Sequence, residues 1–324
     1  MKILITGITG FIGRNVLKEL ITKRNNITAL VRESTDPERY KEFSDKITIA
    51  KIDLADIEKL RDYLAINSFD VTIHIGALRG GRKFNKAVYQ RVNIDSTEQF
   101  LINAKKHNSK FIYCSSVGVF GAIPNELPAN NSTTKNPDNT YHYTKIQSEK
   151  LIQRYVLQGA KAYIIRPSIT YGTNDYGFPY ILTNLIFKKM LPLTYEPIKI
   201  HLTNVNLLAL AFKKVAESDL PAGSSFIVAD RHPVDFRELA NFIHNRFYDK
   251  PYPTSRYLSP KFFRLGEKIA AFFKNEAWEM RFKLISRSWY YDVDKTYEIL
   301  NLKKMETIPA FDLVINWFSE KNGI

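Results

Sequence analysis

The chain has a single cysteine, Cys114, among its 324 residues, and this scarcity excludes an internal disulfide framework and a thiolate metal cluster. No apolar run approaches the ~18 to 20 residues that a membrane-spanning helix requires. Glycines interrupt the apolar start MKILITGITGFIG and no small-residue cleavage site follows, so we interpret it as a buried strand and not as a signal peptide. We therefore expect a cytoplasmic protein without a metal site.

Acidic residues are in the minority, with 33 Asp and Glu against 47 Lys and Arg, which gives a formal net charge of +14. A basic chain favours anionic partners such as phosphorylated cofactors, acidic lipid surfaces or nucleic acid. The basic residues are scattered, and the sequence has no long block of like charges and no zinc-finger or RNP-type motif. Dedicated nucleic-acid binding is therefore not expected.

What the sequence does contain is a regular alternation of strand-like and helix-like segments over its first half. Short β-branched runs alternate with amphipathic segments such as FIGRNVLKELITK and DIEKLRDYLAI. The predicted strands are residues 2–6, 27–31, 47–52, 71–75, 110–115 and 162–166. This order is typical of an α/β protein with a doubly wound parallel sheet, the Rossmann fold.

Beyond residue 167 the pattern is looser, and the sequence shows no internal repeat or low-complexity tract. We predict a loop at 171–179, strands near 198–202 and 225–229, and helices near 206–217, 235–247, 260–274 and 309–320. The predicted dinucleotide-binding domain is 1–170, completed by 198–230. Residues 171–197 and 231–324 would form a smaller, mostly helical substrate-binding cap.

The first predicted strand runs directly into TGITGFIG, in which Gly7, Gly10 and Gly13 follow a G-x-x-G-x-x-G spacing. Glycines permit a tight turn and let backbone N–H groups approach a pyrophosphate at a helix N-terminus. Because this loop stands between a strand and an amphipathic helix, it predicts a dinucleotide site and not a structural turn.

The residues that follow the second and third strands bear on which dinucleotide binds. An acidic residue after the second strand would hydrogen-bond the ribose 2′-hydroxyl and favour NAD. That position carries Arg32, which could meet the 2′-phosphate of NADP or be a solvated surface residue. Asp53 suits a carboxylate near the adenine amino group, although a helix N-cap region explains it nearly as well. We expect NADP, with NAD as the alternative.

Tyr141 and Lys145 stand four residues apart after the polar run NELPANNSTTKNPDN. If a helix begins there, both side chains lie on one face. At about 4 Å and an effective dielectric of about 20, an ammonium attracts a phenolate by roughly 4 kcal/mol. That attraction would pull the phenol pKa from about 10 towards about 7, where the group can act as an acid or base. Taken alone, the spacing fits an ordinary exposed helical turn better, and the rest of the sequence must decide.

Over nearly its whole length the sequence resembles the extended short-chain dehydrogenases/reductases, which include NAD(P)-dependent epimerases and dehydratases. TGITGFIG and IDLAD resemble the cofactor loop and the adenine-side segment of that family. Four further segments resemble its motifs in order: HIGA (74–77, with Gly76 for an alanine), VNIDSTEQFLINA (92–104), CSSVGVFG (114–121, with Phe120 for a tyrosine) and RPSITYG (166–172).

The resemblance implies that Ser116, Tyr141 and Lys145 are catalytic. Lys145 would hold the nicotinamide ribose and lower the pKa of Tyr141, Tyr141 would exchange a proton with the substrate oxygen, and Ser116 would hydrogen-bond that oxygen. The cofactor-binding residues expected from the loop and the resemblance together are Thr6, Gly7, Thr9, Gly10, Phe11, Ile12, Gly13, Arg32, Asp53, Leu54, Gly76, Ala77, Asn93, Tyr141, Lys145, Pro167 and Ser168. Helix packing explains Asn93 equally well, and we interpret His74 as structural.

Three functions stay open. We favour an NADP(H)-dependent oxidoreductase acting on a ketone or secondary alcohol. Arg32 favours NADP, and NADP is less natural for an epimerase, which recycles its bound cofactor internally. The alternatives are a nucleotide-sugar 4-epimerase with retained NAD and a non-catalytic NADP-binding sensor or scaffold, which would need a degraded site. A 4,6-dehydratase is disfavoured, because that subgroup has T-D-E where this chain has Ser116-Val117-Gly118.

The later part of the chain bears on the substrate and on other partners. Residues 260–274 and 284–301 resemble the 3β-hydroxysteroid dehydrogenase-like branch. The first of these segments places an apolar stripe beside basic residues: Phe262, Leu265, Ile269 and Phe272 or Phe273, flanked by Lys261, Arg264 and Lys268. Such a stripe is more often packed in a cap than laid on a membrane surface, so packing is expected. Expected partners are a carbonyl, alcohol or nucleotide-sugar substrate and a second copy in a homodimer.

Overall fold

The structure, a computed structural model, describes residues 1–79 and 84–324. Its strands in chain order are β1 (Lys2–Thr6), β2 (Asn26–Val31), β3 (Thr48–Lys51), β4 (Val71–His74), β5 (Lys110–Cys114), β6 (Lys161–Pro167), β7 (Ile169–Tyr171), β8 (Leu193–Thr194), β9 (Lys199–Ile200), β10 (Leu202–Asn204), β11 (Ser225–Val228), β12 (Val234–Asp235) and β13 (Tyr257–Leu258). Seven of them form one sheet in the order β11-β6-β5-β4-β1-β2-β3. Every pairing in that sheet is parallel, which confirms the doubly wound Rossmann architecture.

Helices lie between these strands and after the last of them, and several pack on the two faces of the sheet. They are α1 (Phe11–Leu20), α2 (Ile57–Ile66), α3 (Lys86–Tyr89), α4 (Ser96–Lys106), α5 (Thr140–Leu157), α6 (Phe178–Phe187), α7 (Val205–Glu217), α8 (Phe236–Tyr248), α9 (Pro260–Phe272), α10 (Glu276–Ser286), α11 (Asp294–Leu300) and α12 (Thr307–Asn322). A π-helical segment, Gln90–Asp95, joins α3 to α4. None of the helices in 1–79 and 84–324 is long and apolar enough to cross a membrane.

The sheet is buried on both faces, which explains why its strands are runs of apolar residues without polar alternation. Ile3 and Ile5 of β1 pack in one cluster with residues of α1 and α7, whereas Leu4 packs in a second cluster with residues of α2 and α4. Parallel strands bring their carboxyl ends to one edge, so the segments after β1, β2, β4 and β5 meet there. That edge carries the candidate active site.

The later segments add three short strand pairs, β7 with β10, β9 with β12 and β8 with β13. The helices predicted near 206–217, 235–247, 260–274 and 309–320 are present as α7, α8, α9 and α12. Helices α6, α10 and α11 were not predicted. The division of the chain into a dinucleotide-binding domain and a cap stays a prediction.

The expectation that the apolar stripe of residues 260–274 is packed in the cap is wrong. Helix α9 buries only Phe263 and Ala270, while the stripe on its neighbouring face is exposed. The reason is that α9 packs against α10 through its other edge, where a Cβ on Gly266 would lie 2.6 Å from Cζ of Phe282.

Candidate active site

The glycine loop closes tightly between β1 and α1. Gly7 has a φ of 80°, in the left-handed region that favours glycine, and a Cβ there would lie 2.7 Å from the backbone nitrogen of Gly76. A Cβ on Gly13 would lie 2.1 Å from the carbonyl oxygen of Gly7. Helix α1 follows Gly10 with no side-chain cap and no acidic residue in its first turn. The loop therefore leaves the N-terminal N–H groups of α1 open to an anion.

Thr6 ties this loop to the end of β4. Its Oγ1 accepts hydrogen bonds from the backbone N–H of Ile75 at 3.1 Å and of Gly76 at 2.9 Å, and its hydroxyl donates to Nδ1 of His74 at 2.8 Å. Burial, assisted by the charge of Lys145, lowers the pKa of His74 to about 3. His74 is thus neutral and buried at physiological pH, as expected of a structural residue. The Thr6 hydroxyl makes its hydrogen bonds to the end of β4 and the residues that follow it.

Around the predicted adenosine end, Arg32 follows β2 directly and is exposed. Its side chain forms no hydrogen bond or ion pair with any residue in the described ranges. The neighbouring Glu33 instead pairs with Lys59 of α2, and this contact lowers the pKa of the Glu33 carboxyl. Asp53 accepts a hydrogen bond from the backbone N–H of Ala55 at 2.9 Å, which stabilises the turn before α2.

Helix α5 begins where the polar run ends, at Thr140, with Asn139 as its N-cap. Tyr141 and Lys145 therefore lie one turn apart at its start. The Lys145 Nζ donates to the carbonyl oxygen of Cys114 at 2.6 Å, and it lies 4.5 Å from the ring centroid of Tyr113 and 5.6 Å from that of Tyr141. The lysine is buried at the carboxyl end of β5.

Burial governs the pKa values of the pair. It lowers the pKa of Lys145 to about 8 and raises the pKa of the Tyr141 phenol well above its usual range. The expected fall in the Tyr141 pKa is therefore wrong for this structure. The ammonium is directed at the Cys114 carbonyl and the Tyr113 ring, while the surrounding protein partly desolvates the Tyr141 phenol. The Tyr141 hydroxyl has no hydrogen-bond partner among the residues that the structure describes, which leaves it open to a substrate.

Ser116 lies two residues beyond β5 and caps a short 3₁₀ turn, Val117–Phe120, where its Oγ accepts the N–H of Gly118 at 3.0 Å. The His142 ring lies against this turn, since a Cβ on Gly118 would fall 2.1 Å from Nε2 of His142. Nδ1 of His142 is 2.5 Å from Oδ1 of Asp138. This Asp138–His142 pair joins the Ser116 turn to the start of α5. No sequence motif singled it out.

A buried ion network supports the same elements and was also missed. Arg166 of β6 donates from Nε and Nη2 to the two carboxylate oxygens of Glu149, at 2.8 and 2.9 Å. Ser115 donates to Glu149 at 2.6 Å, and Lys135 lies 2.6 Å from it. Although burial opposes ionisation, Arg166 and Lys135 hold the pKa of Glu149 below its usual value. The network fastens α5 to the end of β5 and to β6.

Asn93 is buried, and its amide is fully occupied within the protein. Oδ1 accepts the backbone N–H of Leu78 at 2.8 Å, and Nδ2 donates to the Leu78 carbonyl at 3.0 Å and to Oγ1 of Thr144 at 2.9 Å. These bonds hold the segment after β4 against α5. A helix-packing role, one of the two interpretations of Asn93, fits this geometry.

Several other predicted cofactor residues line the same sheet edge. Leu54 and Gly76 touch, since a Cβ on Gly76 would lie 2.9 Å from Cδ1 of Leu54, and the partly buried Ala77 follows. The Thr9 carbonyl accepts a hydrogen bond from Arg39 at 2.8 Å. Beyond Pro167, the last residue of β6, Ser168 donates to the His201 carbonyl at 2.5 Å and so faces the later segments. Their contact with a cofactor stays a prediction.

The segment after β7 packs against the start of α1. A Cβ on Gly172 would lie 3.1 Å from Cζ of Phe11, the residue before the partly buried Ile12. Burial raises the pKa of the Asp175 carboxyl, and the positive charge of Arg79 opposes this rise. The same charge opposes the rise in the pKa of the Tyr141 phenol. Arg79 therefore stands close to both groups.

The described residues contain no group of three or more His, Cys, Asp or Glu side chains that could hold a metal ion. The arrangement offers a phosphate-binding helix start, a buried ammonium, a free phenol and a serine along one sheet edge. Such a set is suited to binding a dinucleotide and to moving a proton at a substrate oxygen.

Comparison with known proteins agrees with this chemistry. A family model described as "NAD dependent epimerase/dehydratase family" matches residues 3–200. An uncharacterized protein of Saccharomyces cerevisiae is 28% identical over 186 residues, 57% of this chain, and the chain spans only 59% of that relative. A 4-hydroxy-2-methyl-3-oxo-4-farnesyl-3,4-dihydroquinoline-1-oxide ketoreductase of Stigmatella aurantiaca is 24% identical over 250 residues, 75% of this chain and 72% of that one. Other relatives are named as epimerases and dehydratases.

Among solved structures, a UDP-glucose 4-epimerase from Thermotoga maritima superimposes with a TM-score of 0.76 at 18% identity, covering 99% of this chain and 100% of that one. At this identity the likeness concerns the fold. The comparisons confirm the expected family and an enzyme of the oxidoreductase type. The resemblance to the 3β-hydroxysteroid dehydrogenase-like branch stays a prediction.

Proposed function

Since the chain belongs to the NAD-dependent epimerase/dehydratase family, we propose that it catalyses hydride transfer between NADP(H) and a ketone or secondary alcohol, with Tyr141 as the acid/base. The observation that carries this proposal is the meeting of Ser116, Tyr141 and Lys145 at one sheet edge with the glycine loop. The family description supports a nicotinamide dinucleotide and names NAD, and the relative named as a ketoreductase supports the reaction class.

The residues present fit a dinucleotide. Side chains at Gly7 or Gly13 would fill the cradle between β1 and α1, and the uncapped start of α1 suits a pyrophosphate. The Lys145 ammonium carries three N–H donors. One donates a hydrogen bond to the Cys114 carbonyl oxygen, which leaves two for ribose hydroxyls. When bound, the nicotinamide supplies or accepts the hydride.

The protein's own contribution is to manage the proton and the charge on the substrate oxygen. In the reductive direction, the Tyr141 hydroxyl donates its proton to the carbonyl oxygen, which becomes an alcohol. The raised pKa of the free phenol keeps that proton in place until it is needed. A hydrogen bond from Ser116 and the positive charge of Lys145 stabilise the developing negative charge on the substrate and the tyrosinate.

The preference for NADP rests on two neighbouring residues. Arg32 is exposed and forms no ion pair within 1–79 and 84–324, so its guanidinium is available to a 2′-phosphate. Glu33, the carboxylate next to Arg32 in the chain, is paired with Lys59. We therefore infer that the adenosine end favours the phosphorylated cofactor.

For the Arg32→Ala variant we expect loss of most of this preference. A charge-assisted, bidentate contact is worth about 1.5 to 3 kcal/mol, so wild type should bind NADPH at least ~10-fold tighter than NADH. Calorimetric titration of both cofactors measures the ratio. Arg24→Ala is the matched control, because Arg24 is an equally exposed arginine whose backbone contacts Met1 at the opposite edge of the sheet. Equal affinities in wild type would show that Arg32 is only a surface residue.

The choice between reductase and epimerase needs a direct assay. The epimerase alternative is favoured by the structural likeness to the Thermotoga maritima UDP-glucose 4-epimerase. The purified protein should be tested for its bound nucleotide, for NADPH oxidation with a panel of ketones, and for conversion of UDP-glucose. We expect an exchangeable site and NADPH oxidation. Tightly held NAD together with UDP-glucose conversion would establish the epimerase instead.

A further inference from the structure

Helices α9 and α10 form a hairpin whose apolar residues face solvent in unusual number. On α9, the side chains of Phe262, Leu265 and Ile269 are 51%, 57% and 50% exposed. At the tip, Phe272 and Phe273 are 81% and 73% exposed, and Trp278 of α10 follows at 50%. We call these six residues the hairpin stripe. Contiguous exposed apolar surface of this kind marks an interaction site and not an ordinary solvated face.

The hairpin is anchored at one end and projects at the other. Leu284 and Ile285, late in α10, pack against the main core, and Trp289 beyond it is buried. In contrast, α10 has no fully buried residue, and the α9–α10 turn carries the most exposed aromatic rings of the stripe. The tip is therefore the part of the hairpin that can reach a separate surface.

A row of cations borders the stripe. Lys261, Arg264 and Lys268 lie on the adjoining face of α9, and Lys274 lies at the tip. Arg281, in the middle of α10, places its guanidinium 4.8 Å from the Trp278 ring centroid. None of the five forms an ion pair with a residue that the structure describes. Two of the hairpin's three acids, Glu267 and Glu279, are already paired with Lys283 or Arg287. The cations are thus free to meet an external anion.

We propose that the hairpin docks the protein on the surface of an anionic lipid bilayer. An amphipathic helix with aromatic residues on one face and Lys or Arg beside them lies in the headgroup plane, with the apolar face inserted and the cations on lipid phosphates. Phe272, Phe273 and Trp278 insert at the tip. This surface shares no residue with the proposed hydride-transfer site.

A second copy of the chain is a poorer occupant. Two copies meeting through this stripe would bring the same unpaired cations together in a chain of net charge +14, and like charges oppose association. An anionic bilayer complements both the apolar and the basic part of the surface. Charge complementarity therefore favours an anionic bilayer over a second copy of the chain.

The test is flotation of the full chain with vesicles of phosphatidylcholine alone or of an equal mixture with phosphatidylglycerol. We expect at least ~10-fold stronger partition into the anionic vesicles, weakened by salt. The variant Phe272→Ser/Phe273→Ser should lose at least ~10-fold in partition. Its control, Ile66→Ser/Leu157→Ser, removes two side chains that are 85% and 90% exposed but lie on α2 and α5, and it should bind as wild type does.

The charge component is tested in the same way. Lys261→Gln/Arg264→Gln/Lys268→Gln should remove most of the preference for anionic vesicles, whereas Lys23→Gln/Arg24→Gln/Lys46→Gln should keep it. Failure of wild type to float with anionic vesicles would overturn the proposal, as would equal losses in hairpin and control variants. The oligomeric state of wild type and of Phe272→Ser/Phe273→Ser is then measured by light scattering. A wild-type dimer that this variant converts to a monomer would identify the hairpin stripe as an interface between copies and overturn the proposal.

Discussion

Replacing Tyr141 with phenylalanine should lower kcat at least ~100-fold while leaving cofactor affinity nearly unchanged. The substitution removes one oxygen, the hydroxyl that has no hydrogen-bond partner within the described part of the chain, so no contact inside the fold is lost. The ring remains available to pack beside Lys145, whose Nζ lies 5.6 Å from its centroid. Steady-state turnover and calorimetric cofactor titration measure the two effects separately.

Tyr143→Phe is the matched control for that experiment. Tyr143 belongs to the same helical turn and loses the same atom, but its side chain is 50% exposed and points away from Lys145. It should retain wild-type kcat. Undiminished turnover in Tyr141→Phe on a verified substrate would remove Tyr141 from the acid/base role and the proposed chemistry with it.

Glu149→Gln should be the most destabilising conservative change near the site. The variant keeps the shape of the side chain but leaves the buried Arg166 guanidinium without a counter-charge, at a cost of about 3 to 5 kcal/mol in the free energy of unfolding. In a chain of 324 residues that corresponds to a fall in Tm of roughly 4 to 7 °C. Thermal unfolding followed by circular dichroism measures it.

The pH dependence of this loss has a defined sign. Because the folded-state pKa of Glu149 is lowered, its contribution is present above the ordinary pKa of 4.5 and disappears as the pH falls through the folded-state value. The Tm difference between wild type and Glu149→Gln should therefore shrink in acid. Glu98→Gln is the control, since Glu98 pairs with Arg154 at the surface and should cost less than about 1 kcal/mol. A Glu149 variant as stable as this control would contradict the role of the network.

The sheet and the cofactor loop were predictable because their signals are local. Each central strand is a short β-branched run, buried on both faces, and such runs need no knowledge of their neighbours to be recognised. The spacing of Gly7, Gly10 and Gly13 likewise reports a steric requirement, which the 2.1 Å approach at Gly13 makes explicit. The helix start that brings Tyr141 and Lys145 to one face was expected from their spacing only together with the family resemblance.

What the sequence could not supply depends on contacts between distant residues. Glu149 and Arg166 look like ordinary charged residues until α5 and β6 bring them together. The direction of the Tyr141 pKa was mispredicted because the strength of an ion–phenol interaction depends on where the ammonium points and on how much water remains. The amphipathic pattern of residues 260–272 was recognised, but a pattern does not say which face of a helix is covered.

The contact between Lys145 and the Cys114 carbonyl affects the entropy of cofactor binding in the proposed site. A flexible lysine loses about 2 kcal/mol of rotamer freedom when it is immobilised. Here the side chain is already held by a 2.6 Å hydrogen bond and by the Tyr113 ring. That loss of freedom is incurred as the chain folds, so an arriving ribose meets a rigid receptor. Association should accordingly show a smaller entropic penalty than it would in a protein whose lysine had to be ordered by its ligand.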